Sequence, residues 1–108
     1  MKESKNVKIV VFVPETHADA VRDAVGNAMG GKIGKYTHCS FSVKGVGRFK
    51  PMAGAKPFLG KAGKLETVPE ERIEFICDKN AVRNVVAAIK KVHPYEEVAL
   101  DIYPLLEE

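Results

Sequence analysis

The order of patterned segments, β-α-β-β-α-β, predicts an α+β fold. This is the ferredoxin-like sandwich, a four-stranded antiparallel sheet with two helices on one face. Three observations carry the prediction. An apolar run rich in β-branched residues leads into a helical repeat, two alternating segments follow it, and a second helical repeat leads into a last alternating segment. With 108 residues, 45% hydrophobic and 29% charged, the chain is sized for one domain, 1–108. A domain of this length buries roughly 60 to 70% of its unfolded surface without disulfide or metal help.

The first strand is "NVKIVVFVP", 6–14, ended by Pro14. Its near-continuous hydrophobicity suits a central strand covered on both faces. Ile9, Val11 and Val13 are expected to meet the helices, leaving Val10 and Phe12 on the other face, where a sheet-packed homo-oligomer would cover them. A helix from about Glu15 to Met29 follows, with Ala18, Val21, Val25, Ala28 and Met29 on one side. Thr16 and Asp19 read as a capping pair, and Gly30-Gly31 as the stop.

"YTHCSFSV", 36–43, alternates as a second strand with Cys39, Phe41 and Val43 on one face. "LETVPEERIEFICD", 65–78, alternates through Ile73, Phe75 and Cys77 and should pair with it, making Cys39 and Cys77 neighbouring buried thiols. "NAVRNVVAAIKKVHP", 80–94, aligns Val82, Val85, Val86, Ile89 and Val92 or His93 on one helical face until Pro94. "EEVALDIYP", 96–104, then alternates Val98, Leu100 and Ile102 until Pro104.

Between the second and third strands, 44–64 carries six of the seventeen basic residues, no acidic residue and five of the nine glycines. A connection of about 20 residues without secondary structure is uncommon unless it has a function. Lys44, Arg48, Lys50, Lys56 and Lys61 are candidates to meet an anion, Gly45, Gly47, Gly54 and Gly60 to shape the backbone around it, and Phe49 and Phe58 to stack on it. A small anionic ligand or a protein partner is therefore expected. "GVGRFK" lacks the third glycine of a dinucleotide fingerprint, and "GAKPFLGKA" has the wrong spacing for a P-loop. Six charges on one loop are a modest footprint for nucleic acid, which is not the expected partner.

The segments "IGKYTHCSFS", "GRFKP", "GAKPFLG" and "HPYEEVA" occur in an order that closely resembles the domain inserted into the middle of Nif-three-like proteins. The likeness covers nearly the whole chain. It implies kinship with the PII signalling proteins and the CutA proteins, and so a homotrimer whose hairpin between the second and third strands senses ligand or partner. The two-metal site of complete Nif-three-like proteins is implied to lie in flanking domains that this sequence lacks. Neither that site nor hydrolase chemistry is carried over, and the chain is read as non-catalytic. It could instead serve as an accessory to a separate metal-dependent chain.

His93 at the end of the second helix, with Pro94, reads first as a helix stop in which an imidazolium meets the helix dipole. The sharper alternative joins His38, His93, Glu96 and Glu97 as ligands for zinc or copper, in a CutA-like metal-binding role. Ser40, His38 and Asp101 offer the residue types of a triad, but nothing in their spacing joins them. No segment has the length of a membrane span, the start lacks the apolar stretch of a signal peptide, and two free thiols suit a cytoplasmic protein.

Overall fold

The computed structural model describes residues 1–108. Four strands, β1 (Lys2–Pro14), β2 (Phe41–Phe49), β3 (Glu66–Asp78) and β4 (Leu100–Glu107), form one sheet in the order β2-β3-β1-β4, every neighbouring pair antiparallel. Helices α1 (Ala18–Asn27) and α2 (Val82–Val92) are each entered through a short 3-10 turn. The order follows from the connections: each helix joins strands two places apart, so β1 and β3 become central. This is the ferredoxin-like fold.

The core lies between the sheet and the helices. Val7, Ile9, Val11 and Val13 of β1, with Ile73, Phe75 and Cys77 of β3, pack against Val21 and Val25 of α1 and Val85 and Ile89 of α2. Burying each such side chain is worth about 1.5–3 kcal/mol. Arg22 fastens α1 to the sheet edge, holding Asp19 at 2.6 Å, Glu71 of β3 at 2.6 Å and Ser42 of β2 at 3.1 Å. Those two carboxylates keep its guanidinium firmly charged.

On the opposite face lie Val10 and Phe12, as their alternation requires. The chain itself covers part of them. Val10 is 1% exposed, and the Arg72 guanidinium sits 5.8 Å from the centre of the Phe12 ring. Glu74 joins Lys8 at 3.2 Å and Arg72 at 3.4 Å. Phe41, Val43 and Tyr103, in register with Glu74, Arg72 and Lys8, stay exposed on this face.

Several boundaries differ from expectation, each for a local reason. Thr16 and Asp19 form no capping pair: the Thr16 hydroxyl meets His17 Nδ1 at 2.8 Å, and Asp19 is taken by Arg22. At the end of α1, Gly30 N–H reaches the Val25 carbonyl at 2.9 Å, the six-to-one bond of a Schellman turn. Met29, not a glycine, takes the left-handed position at φ 73°. Gly30 is needed because a Cβ would press on Val25 and Phe75.

Residues 36–40 do not extend β2. Gly31 takes that place on the edge of β3, donating to Ile76 O at 2.7 Å and accepting from Cys39 N at 2.9 Å. Cys39 is partly exposed and lies outside the core that buries Cys77, so the two are not a pair of buried thiols. At the other end β2 runs on to Phe49, so 44–49 belongs to a strand and the irregular connection is 50–65. Pro104 does not stop β4. It lies opposite Val7 on an edge strand, where the missing N–H costs no ladder bond.

Candidate functional site

The β2–β3 hairpin projects past the sheet as an arm, which leans on the turn after α2. Lys56 N–H donates to Glu96 Oε1 at 2.9 Å, and Gly63 N–H closes the base of the connection on Pro51 O at 2.7 Å. Ring contacts complete the seating: Phe49 lies 5.6 Å and Phe58 6.5 Å from Tyr95, and Phe58 meets His17 edge-on at 5.4 Å. Between arm and turn opens a cavity of about 570 Å³. Its walls come from "GRFKP", "GAKPFLG" and "HPYEE", together with Phe12 and Glu70.

Glu70 is the buried charge of this cavity, 9% exposed. Its Oε2 accepts the Tyr95 hydroxyl at 2.7 Å. No protein donor reaches Oε1, which is not sealed from solvent, and Glu70 lines both this cavity and the groove next to it. Burial first, then the bond to Glu70, pushes the Tyr95 phenol well above its ordinary range, so it stays a donor. Gly47 makes room, because a Cβ there would collide with the Glu70 carboxylate.

His93 organises the turn. It is 6% exposed, and both ring nitrogens are used by the chain: Nε2 donates to Phe12 O at 2.7 Å and Nδ1 accepts from Tyr95 N–H at 3.2 Å. A carbonyl can only accept and an amide N–H can only donate, so the neutral Nε2–H tautomer is required. Burial lowers its pKa, outweighing the bond to Phe12 and the Glu70 charge. The expected imidazolium at the helix end is thus replaced by a neutral ring that pins the turn to β1.

Of the residues proposed from sequence, Gly47, Arg48, Phe49, Lys50 and Phe58 line the cavity, with Glu96 and Glu97 opposite. Lys44 and Gly45 border a second groove, which Glu70 shares with Arg72 and Glu74. Lys56 contributes its backbone, while Lys61 lies outside the cavity. Gly54 at φ 93° and Gly60 at φ 94° shape turns, whereas Gly45 has neither a positive φ nor a close neighbour that requires it.

His38 does not join His93. It sits on Gly26 at the far end of α1, with Nε2 3.2 Å from Asn27 Oδ1 and Nδ1 3.0 Å from Thr37 Oγ1. His93, by contrast, ends α2 and is bonded to Phe12 of β1. Within the chain no three His, Cys, Asp or Glu side chains gather to hold a metal ion. His38 and Ser40 precede β2, while Asp101 lies on β4 at the opposite edge. Sequence reasoning missed Glu70 and Tyr95; the tyrosine inside "HPYEE" was the available signal.

Against known proteins, no family model matches the sequence. A protein named GTP cyclohydrolase 1 type 2 homolog from Halalkalibacterium halodurans is 54% identical over 101 residues, 94% of this chain and 27% of that protein. Its namesake in Bacillus subtilis is 52% identical over 98 residues, 91% of this chain and 26% of that protein. The chain thus spans about a quarter of the length of the curated relatives it matches. Among solved structures, a Bacillus cereus protein related to NIF3 superposes with TM-score 0.81 and 49% identity, over 96% of this chain and 26% of that one. The divalent cation tolerance protein CutA of Archaeoglobus fulgidus superposes with TM-score 0.69 at 13% identity, over 95% of this chain and 86% of that one, and so shares the fold.

Proposed function

We propose, from the chain's homology to a quarter-length segment of the GTP cyclohydrolase 1 type 2 homologs and NIF3-related proteins, that it is a non-catalytic sensor module of the PII kind. Its basic arm binds a small anion. One observation carries this reading. Five of the eleven body cations, Lys2, Lys8, Arg22, Arg72 and Lys79, pair with carboxylates, whereas none of the six arm cations does. A positive arm left without counter-charges suits an anionic ligand.

The test uses pyrophosphate and citrate as probes of amide exchange in 50–65. Arg48→Glu combined with Lys50→Glu should abolish anion-dependent protection and shift the melting temperature by no more than a surface change does, about 0.5 kcal/mol equivalent. A sharp drop in melting temperature would make the arm's role structural instead.

The CutA-like fold and the exposed Phe41, Val43 and Tyr103 on the sheet's uncovered face support assembly as a homotrimer. Native mass spectrometry should return three subunits, and Val43→Lys should lower that number. A monodisperse monomer in the unmutated protein would count against the assembly. An accessory role toward a separate metal-dependent chain is a second reading. Co-purification with such a chain, lost on the same arm reversal, would select it.

A further inference from the structure

We propose that the cavity between arm and turn takes a small zwitterion of amino-acid type with an aromatic or branched apolar body, its ammonium anchored by Glu70. This rests on the sensor reading above and names the ligand class of the same site.

The cavity offers three kinds of surface. Its walls are aromatic: Phe49 and Phe58 stand 5.6 and 6.5 Å from Tyr95 and accept a flat or branched apolar group. At its buried end stands a carboxylate without a cation. Glu70 is nine-tenths buried, receives only the Tyr95 hydroxyl, and has no ion pair within 4 Å. Holding a carboxylate among rings without a counter-ion is costly, and a ligand ammonium donating to Oε1 would relieve that cost. Finally, Arg48 and Lys50 line the same cavity with no carboxylate in ion-pair range, and remain for the ligand's acid group. A simple anion would use the two cations and leave Glu70 unrelieved. A simple cation would find Glu70, with Glu96 and Glu97 in the same lining, but would also face Arg48 and Lys50. A zwitterion uses both.

The experiment is calorimetric titration of the full chain with L-phenylalanine, with N-acetyl-L-phenylalanine, which lacks the ammonium, and with L-phenylalaninamide, which lacks the carboxylate. L-Phenylalanine should bind, and each derivative should bind about tenfold or more weakly, as expected for loss of a charged hydrogen bond. Glu70→Gln, whose amide oxygen still accepts the Tyr95 hydroxyl, should keep the melting temperature and bind L-phenylalanine and its N-acetyl derivative alike. Equal binding of the two by the unmutated protein would overturn the role of Glu70. If none of the three binds while pyrophosphate or citrate still protects the arm, the zwitterion is wrong and the sensor reading stands. If neither probe set acts, both readings fall.

Discussion

Gly31→Ala is expected to destabilise the protein by about 3 kcal/mol, more than any surface change. Gly31 is buried, has φ 76°, and is wedged between Ile76 O and Cys39 N by two backbone hydrogen bonds. A Cβ at this position would enter the Cys39 carbonyl oxygen, a backbone atom that cannot rotate away. About 1–2 kcal/mol comes from the left-handed backbone, and a further 1–3 kcal/mol from overpacking. Gly34→Ala is the control: it shares a positive φ of 57° but has nothing within 4 Å of its Cβ position, so it should cost only the conformational share. Thermal unfolding of both variants checks this, at about 4–8 °C per kcal/mol for a domain of this size. Equal losses would mean that the Gly31 contact relaxes.

His93→Leu should cost about 2–4 kcal/mol at neutral pH, because it leaves the Phe12 carbonyl and the Tyr95 N–H without partners at a buried site. It should also change the pH dependence. In the folded protein the His93 pKa is lowered by burial, so the unfolded chain, titrating near 6.5, takes up the proton more readily. The ring's contribution to stability is therefore complete above about pH 6.5 and is lost as pH falls through the lowered folded value. Protonation would place a hydrogen on Nδ1 facing the Tyr95 N–H. Glu70 attracts that charge and His17 opposes it. Subtracting the stability profile of His93→Leu from that of the unmutated protein should leave an acid-side loss. A flat difference would show that the ring is not held neutral. Because His93 also orients Tyr95, the variant should expose the arm to amide exchange.

Period and punctuation made the framework legible. β1 declared itself by unbroken β-branched residues, α2 by Val85 and Ile89 one turn apart, and the arm by its charge and glycine density. These signals are local, since they depend on residues within two to four positions of one another. Boundaries were less legible where a distant partner decided them. β2 begins at Phe41 because Gly31 occupies the edge of β3 before it, and β4 passes through Pro104 because it is an edge strand.

The candidate site divides in the same way. Arg48, Phe49, Lys50 and Phe58 could be named from the arm's composition, and "HPYEE" stood out by its residue types. Glu70 could not be distinguished from its neighbours: in "PEERIE" it is one of three glutamates on an alternating strand. Only the fold makes it different, by placing Gly47 beneath its carboxylate, Tyr95 against one oxygen and the residue itself in the cavity wall. His38 and His93 show the converse, since similar chemistry in the sequence became two separate anchors, one on the end of α1 and one on β1. The sequence by itself determined which segments are strands and helices, and where charge accumulates, because periodicity and composition are properties of neighbouring residues. The tertiary structure alone decided which carboxylate is buried, which histidine is neutral and which glycines are indispensable, because burial and hydrogen bonding arise between residues the chain brings together from far apart.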